Sequence, residues 1–263
     1  MMAAKQPQPS DYTVAWLCAL PEEFSAAIEM LGKERYRPPE EKSDPNNYVC
    51  GKISNHNVVV CCLPDWQHGA TSAASMIHKL TSRYRSVRFA LLVGIGGGVP
   101  SDDNDIRLGD VVISGPPGGV IECILVKSSK DGMYTRFMNG PPEDLQNAAT
   151  TLKQKLTASP TSMPSVVVPT QTQLLQATRA SDQLFESSYN HVHVEDEDCR
   201  RCDPSQQKPR KQRSDDKPRI HIGTIASTNQ VIKNGAIRDK ISSSVKGVLC
   251  VEMEAAGIMD ALP

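Results

Sequence analysis

At 263 residues, the chain is long enough for a single α/β domain to bury a full hydrophobic core. Hydrophobic residues make up 39% of it and charged residues 22%, as in ordinary globular domains, and the formal net charge is -1. This balance excludes a general electrostatic attraction to nucleic acid or to an anionic membrane. The sequence also lacks an apolar stretch that could cross a bilayer, and we expect no secretory signal in the opening segment MMAAKQPQPSD.

Cysteine usage indicates the compartment. Most of the eight cysteines lie inside apolar runs such as VVVCCL and GVLCVEM, where a free thiol behaves as a small buried side chain. This pattern favours a reducing compartment over a disulfide scaffold, so we expect a cytoplasmic protein.

The first part of the chain predicts a strand followed by a helix. Residues 1–11 form a polar tail, and Tyr12–Leu20 is a continuous apolar run, typical of a strand buried on both faces. Pro21 suits the first position of a helix, and Glu22 and Glu23 favour the positive end of its dipole. A strand, a tight turn and a helix are the usual opening of a layered α/β domain.

Further elements follow along the chain. YVCGKI and NVVVCCL flank Ser54-Asn55-His56 and predict a hairpin. Apolar spacing predicts helices over 73–84 and 145–156 and strands over 88–94 and 110–114. IHIGTIAS and GVLCVEM predict two late strands, the second of which leads into a helix that begins near Glu254.

Residues 187–218 are sharply more polar and charged, and they predict a mobile insertion that buries little surface. Within it, His191-x-His193 and Cys199-x-x-Cys202 have the spacing of zinc ligands. The surrounding acidic and basic residues offer little support for a metal, so the sequence predicts none. The cluster KPRKQR (208–213) has acidic neighbours and no interleaved aromatic residues, which favours a solvated loop over a nucleic-acid site.

A glycine run follows the strand predicted over 88–94. Glycines at this point let a backbone approach a ligand closely and expose its N–H groups. A dinucleotide-binding loop would instead open a helix early in the chain, whereas the run Gly94–Gly98 follows three strands and leads into a loop. A glycine-rich turn without any ligand is the simpler alternative.

The segment VEMEAAGIMD (251–260) places Glu252 and Glu254 where a buried strand becomes a helix. Open α/β sheets bind ligands at such strand ends, and carboxylates there can accept hydrogen bonds from sugar hydroxyls. The alternative is that both glutamates only favour a helix N-terminus. IASTNQVIK (225–233) can lie flat against a base, or it is an ordinary junction between a strand and a loop.

Taken in order, five segments resemble the nucleoside phosphorylase/5'-methylthioadenosine nucleosidase superfamily. They are AWLCALPEEFSAA, LLVGIGGGVP, IRLGDVVIS, GTIASTNQVIK and GVLCVEMEAAGIMD. The sequence of these segments is similar to fungal versions of the domain, which often lie at the N-terminus of large NACHT- or ankyrin-repeat proteins. The resemblance implies one domain over 12–263, with a mixed central sheet flanked by helices in three layers. It also implies that the last strand and helix of the fold are missing.

The same resemblance implies roles at the nucleophile side of the site. Glu23 would be the catalytic acidic residue whose carboxylate helps to activate an attacking water. The loop Gly94–Gly98, and in it Gly94, Gly96 and Gly97, would border the phosphate or water and the base. Asp110, in the Gly-Asp pair of the family, would be structural.

For the nucleoside itself, the resemblance implies that Val231 and Ile232 contact the base and that Met253 packs under the ribose. Glu254 would hold the 2'- and 3'-hydroxyls of the ribose, with Glu252 beside it. No metal or organic cofactor is implied, and inorganic phosphate is an optional co-substrate.

Three departures from the family pattern bear on the chemistry. The general-acid aspartate of the family would follow a strand beyond Pro263, and Asp260 lies too early to replace it. Ile95 stands where many members carry a serine or threonine, and Leu92 matches the phosphate-binding arginine of one phosphorylase branch. Loss of two anion ligands favours hydrolysis over phosphorolysis.

The sequence therefore predicts cleavage of the N-glycosidic bond of a purine nucleoside, by water or by phosphate. Two alternatives remain: a catalytically inactive nucleoside-binding sensor module, and a truncated fragment. The expected partner is a small-molecule purine nucleoside and neither nucleic acid nor a membrane. Family members are commonly oligomers, so a homo-oligomer is expected as well.

Overall fold

The structure is a computed structural model that describes residues 7–64, 67–126, 132–158, 182–192, 199, 201–213 and 218–261. It confirms the predicted mixed α/β class, with helices flanking two mixed sheets. The chain divides into two compact units. The first comprises Met1–Gly96, Ser227–Gln230 and Glu252–Pro263, and the second comprises Gly97–Ala226 and Val231–Val251.

Ten strands and five helices lie within the described residues, together with single 3-10 turns at Pro9–Asp11 and Pro204–Gln206. The strands are β1 (Val14–Cys18), β2 (Asn47–Ile53), β3 (His56–Cys62), β4 (Phe89–Leu92), β5 (Gly97–Gly98), β6 (Val111–Ser114), β7 (Val120–Leu125), β8 (Met133–Phe137), β9 (Ile220–Thr228) and β10 (Val248–Glu252). The helices are α1 (Pro21–Met30), α2 (Ala70–Arg83), α3 (Glu143–Ala158), α4 (Gly235–Ser244) and α5 (Ala255–Met259). None of the helices in these described parts has the length and apolarity needed to span a membrane.

The sheet of the first unit has the strand order β2-β3-β1-β4. β1 runs parallel to β3 and β4, and the predicted hairpin is confirmed as the antiparallel pair β2–β3, with Ser54 at φ 51° in its turn. Successive residues of β1 face opposite sides of the sheet. Leu17 belongs to a core cluster with Leu80 of α2, and Cys18 to a second cluster with Phe24 of α1. The sequence-based prediction of a strand buried on both faces is therefore confirmed.

The six-stranded sheet, which is the main sheet of the second unit, follows the order β5-β10-β9-β7-β8, with β6 added parallel to β9. Its core contains Ile121 of β7, Ile241 of α4 and Val248 of β10. Strands β5, β7 and β8 and helix α4 were not predicted from the sequence. The start of α4 carried a usable signal, because Asn234 is a good N-cap and its side-chain oxygen accepts a hydrogen bond from the backbone N–H of Ile237 at 3.1 Å.

A buried charge cluster anchors part of the 187–218 segment. Arg210 donates to Asp105 and Asp182, and Arg213 donates to Asp110 at 2.6 Å. The Arg210 and Arg213 side chains are 13% and 10% exposed. The interpretation of KPRKQR as a solvated loop is therefore wrong for these two arginines, because each finds an acidic partner far away in sequence. Mobility of the rest of the segment stays a prediction.

Asp110 is the most deeply buried member of this cluster, with 1% of its side chain exposed. Its Oδ2 lies 3.0 Å from His221 Nε2, and its carboxylate also accepts hydrogen bonds from the backbone N–H groups of Arg107 and Arg219. Burial alone raises the pKa of Asp110, but these hydrogen bonds and those from Arg213 outweigh burial and hold the pKa well below its usual range. These contacts indicate the structural role expected from the sequence.

Candidate active site

Glu252 ends β10 and caps the short helix that follows. Its Oε2 accepts hydrogen bonds from the backbone N–H groups of Glu254 and Ala255, both at 2.8 Å. This oxygen accepts hydrogen bonds from backbone N–H groups at a helix N-terminus, which is the alternative to a ligand contact that the sequence left open. Glu252 Oε1 is buried and has no partner in hydrogen-bonding geometry among the described residues. Burial raises the pKa of Glu252 above its ordinary value, although the Ser227 hydroxyl and the N–H groups of Glu254 and Ala255 oppose this rise.

Glu254 is half-buried, and one of its oxygens is fixed by the neighbouring helix. Its Oε1 accepts a hydrogen bond at 2.9 Å from the backbone N–H of Gly69, the residue before α2. Gly69 has a φ of 87°, which favours glycine at this turn. Within the described part of the chain, no hydrogen bond engages Glu254 Oε2. The carboxylate is thus held in place while one oxygen remains available to accept hydrogen bonds.

The two helices that carry these contacts pack with their backbones close together. A Cβ atom on Gly257 of α5 would lie 1.8 Å from the carbonyl oxygen of Ala70 in α2, so only glycine fits there. The backbone N–H of Ala256 donates to Ser227 Oγ at 3.0 Å. These contacts position Glu254 from two sides. Met253, between the two glutamates, is half-buried.

Glu23, the predicted catalytic residue, lies in the first turn of α1 and accepts three backbone hydrogen bonds. Its Oε2 accepts from Ala19 and Leu20 at 2.8 and 3.0 Å, and its Oε1 accepts from Ile95 at 2.7 Å. The carboxylate therefore joins the end of β1 to the loop after β4. A carboxylate offers about four lone-pair sites, so one acceptor position remains.

Gly94 permits this arrangement. A Cβ atom at position 94 would lie 2.7 Å from Oε1 of Glu23, and three backbone N–H groups hold that carboxylate in place through its two oxygens. We expect Gly94→Ala to displace the carboxylate and to lower the free energy of unfolding by about 1–3 kcal/mol. Chemical denaturation of both proteins measures the difference. Gly140→Ala is the matched control, since a Cβ there meets nothing within 4 Å; equal losses in the two variants would contradict the assignment.

The rest of the glycine run is also shaped by the protein itself. Gly97 and Gly98 form β5, which pairs antiparallel with Val251 and Cys250 of β10. A Cβ atom on Gly97 would approach Val251 Cγ2 to 3.0 Å. Close packing thus explains glycine at this position, whether or not a ligand lies nearby.

The two residues predicted to contact the base differ in exposure. Val231 is 63% exposed, whereas Ile232 is partly buried against the core of the second unit. Ile232 and Gly97, both predicted from the sequence, line the same cavity of about 180 Å³, together with Asn234 and Val251.

The structure thus brings the predicted residues together in three groups. Glu23 meets the loop at Gly94, Glu252 and Glu254 share one strand–helix junction, and Gly97 shares a cavity with Ile232. The sequence analysis missed Gly69, Ser227 and Asn234 as partners. The Gly before α2 and the Asn before α4 were detectable as helix-start residues, but nothing in the sequence links Gly69 to Glu254, 185 residues later.

One group of described side chains could hold a metal ion. The ligand atoms of His191, Cys199 and Cys202 all lie within 4.8 Å of one another.

Comparison with known proteins gives one relative by sequence and several by structure. No family model matches the sequence. A protein from Hyaloscypha variabilis, described as a nucleotide-binding leucine-rich repeat (NLR)-like protein, is 36% identical over 263 residues that cover 96% of this chain. The match covers 26% of that relative, so the chain spans about a quarter of its length.

Solved structures match across 95% of this chain at low sequence identity. The 5'-methylthioadenosine/S-adenosylhomocysteine nucleosidase of Neisseria meningitidis, in complex with methylthio-immucillin-A, has a TM-score of 0.56 at 14% identity over 78% of its chain. The futalosine hydrolase of Helicobacter pylori has a TM-score of 0.55 at 13% identity over 78% of its chain. The nucleosidase of Colwellia psychrerythraea, in complex with adenine, has a TM-score of 0.52 at 13% identity over 76% of its chain. The chain therefore shares its fold with these two nucleosidases and this hydrolase.

Proposed function

We propose that this chain hydrolyses the N-glycosidic bond of a purine nucleoside. The observation that carries the proposal is the Glu254 carboxylate. One of its oxygens is fixed on the Gly69 N–H, and the other remains available at the end of a buried strand. Ligands bind at strand ends in open α/β sheets, and vicinal ribose hydroxyls are good donors to such an oxygen.

A negative charge at Glu254 would assist cleavage of the N-glycosidic bond. Cleavage of an N-glycosidic bond passes through a ribosyl cation-like state, related to the oxocarbenium state of glycoside hydrolysis. A carboxylate that holds the ribose hydroxyls stabilises this developing positive charge more than it stabilises the neutral substrate. In the proposal, Glu254 accepts hydrogen bonds from the 2'- and 3'-hydroxyls of the ribose, and Met253 packs under the sugar. Glu252 keeps the junction in place by capping α5.

The remaining predicted residues are proposed to contact the base and the nucleophilic water. Val231 and Ile232 contact the base, and the loop Gly94–Gly98 borders the water. Glu23 orients that water through its one remaining acceptor position. Its three backbone bonds keep it at the end of β1.

Water is favoured over phosphate as the nucleophile. Ile95 is 70% exposed and presents an apolar side chain where an anion would need a donor. Its backbone N–H is already used by Glu23. Inorganic phosphate is therefore an optional co-substrate at most, and the first substrate to test is 5'-methylthioadenosine, which the names of the structural neighbours mention.

The test is release of free base. The purified chain is incubated with adenosine, inosine, guanosine and 5'-methylthioadenosine, with and without phosphate, and the products are separated by chromatography. The proposal predicts free base from at least one purine nucleoside without added phosphate. Release only with phosphate would replace hydrolysis by phosphorolysis.

A second candidate, a nucleoside-binding module without catalysis, is favoured by the state of Glu23. A carboxylate that already accepts three backbone hydrogen bonds has only one acceptor position left for a water, and its three fixed bonds suit a structural role as well. In this case the chain would serve as a sensor within a longer protein, in line with the NLR-like relative. Thermal stabilisation by nucleosides without base release would support the module over the enzyme. For either candidate we propose a cytoplasmic location and a homo-oligomer, with neither nucleic acid nor a membrane as a partner.

A further inference from the structure

We infer that His191, Cys199 and Cys202 form a zinc site that links residues 182–192 to the cysteine turn and to residues 201–208. Their ligand atoms lie within 4.8 Å of one another. Zinc holds sulfur at about 2.3 Å and nitrogen at about 2.0–2.1 Å, so its ligand atoms lie roughly 3.5–3.8 Å apart in a tetrahedral site. A contraction of about 1 Å brings the three atoms to that spacing, and water can supply the fourth ligand.

The donor set itself selects the ion. Two thiolates and one imidazole are the ligand types that zinc prefers over calcium or magnesium, which take oxygen ligands. The two cysteines lie on one turn, because the backbone N–H of Cys202 donates to the carbonyl of Cys199 at 3.1 Å. A Cys-x-x-Cys turn of this kind directs both sulfur atoms to one side. Cys202 is 7% exposed, Cys199 is half-buried and His191 is exposed, so the site opens to solvent on the histidine side.

A local scaffold already holds the two chain segments that the metal would join. The backbone N–H of Glu186 donates to the carbonyl of Gln206 at 2.9 Å, and that of Lys208 to the carbonyl of Leu184 at 2.7 Å. Next to Cys202, the backbone N–H of Asp203 donates to the hydroxyl of Tyr189 at 2.8 Å. These bonds hold the stretch before His191 against the stretch that follows the cysteine turn, and such support preorganises a metal site.

The composition of the stretch around the ligands indicates that a bound metal would stabilise it. The stretch around these ligands is rich in charged and polar residues. Of residues 182–192, 199 and 201–208, only Cys202 is buried, and the stacked pair Phe185 and Tyr189, with ring centroids 5.5 Å apart, is partly buried. Small substructures without a sufficient core are commonly held by metals or disulfides. The zinc site would also be linked to the segment that carries Val231 and Ile232, because Asn190 accepts a hydrogen bond from Asn234 at 3.1 Å. Asn234 lines the cavity that contains Ile232. The proposal replaces the sequence-based expectation of no metal.

The test is metal content and its dependence on the ligands. The full chain is expressed with zinc in the medium, purified by gel filtration and analysed by mass spectrometry for metals. We expect about one zinc per chain, and a loss of roughly tenfold or more in Cys202→Ser and in His191→Ala. Cys250→Ser and His78→Ala are the matched controls and should retain the zinc, since neither residue belongs to the group.

Two further measurements use the wild type and do not depend on whether Cys202→Ser folds. In the wild type, cobalt substituted for zinc should give the charge-transfer absorption of a thiolate–cobalt bond, and a chelator should lower the melting temperature reversibly. Zinc below about a tenth of an equivalent after reconstitution would overturn the proposal. So would a Cys199–Cys202 disulfide in protein purified without reductant, or equal zinc content in the ligand variants and the controls.

Discussion

Asp110→Asn is expected to lower the free energy of unfolding by about 3–5 kcal/mol at neutral pH. The change removes the charge that pairs with Arg213 at 2.6 Å and leaves a guanidinium that is 10% exposed without its main partner. An unpaired buried charge costs far more than the net contribution of the pair itself. Chemical denaturation of both proteins, followed by circular dichroism, measures the difference.

The control and the pH dependence separate this effect from a general loss of charge. Asp102→Asn should change stability little, because Asp102 is 95% exposed and lies 3.8 Å from Lys208. The pKa of Asp110 is held below its usual range in the folded state, so its contribution is fully present above the unfolded pKa of about 3.9. It is lost as pH falls through the folded pKa. The gap between wild type and Asp110→Asn should therefore shrink below about pH 4, and a gap that is constant in acid would contradict this role.

Glu254→Gln is expected to lower kcat/KM for nucleoside hydrolysis by about 10²–10³-fold. The amide preserves the size of the side chain and can still accept hydrogen bonds. It removes, however, the negative charge that would stabilise the ribosyl cation in the proposed reaction. Because the Gly69 N–H can still donate to the amide oxygen, we expect the fold to be retained. Steady-state kinetics on a substrate that the wild type cleaves, with the melting temperature as a folding check, measures the effect.

Glu29→Gln, an exposed glutamate on α1, is the matched control and should leave the rate unchanged. A binding comparison isolates the ribose contact from catalysis. The wild type should bind a purine nucleoside more tightly than its 2',3'-dideoxy analogue, and Glu254→Gln should narrow this difference. A variant that keeps full activity, or a wild type that does not distinguish the two ligands, would remove Glu254 from the site.

The elements built from local pattern could be predicted. The apolar run over Val14–Cys18 and the proline at position 21 specify β1 and α1, because both signals lie within the elements themselves. The same holds for the hairpin β2–β3, whose turn lies between two apolar runs. In contrast, β7 was missed because its apolar residues are interrupted by Glu122, which pairs with Arg136 of β8 at 3.0 Å across the strands.

The partners in the candidate site could not be predicted, because they depend on long-range contacts. Arg213 reaches Asp110 across 103 positions of sequence, and no local pattern identifies the pair. Gly94 and Gly97 show a different limit. The sequence predicted glycines that admit a ligand, whereas the structure explains them by the approach of Glu23 and Val251. Glycine permits both kinds of close approach, so the residue type alone does not choose between them.

The most direct measurement is a crystal structure of the chain with a non-hydrolysable purine nucleoside analogue. We expect the Glu254 carboxylate to lie at roughly 2.5–3.0 Å from the 2'- and 3'-hydroxyls of the ribose. We also expect the Met253 side chain to contact the sugar ring. An analogue bound elsewhere on the protein, or a ribose whose hydroxyls face away from Glu254, would contradict the account.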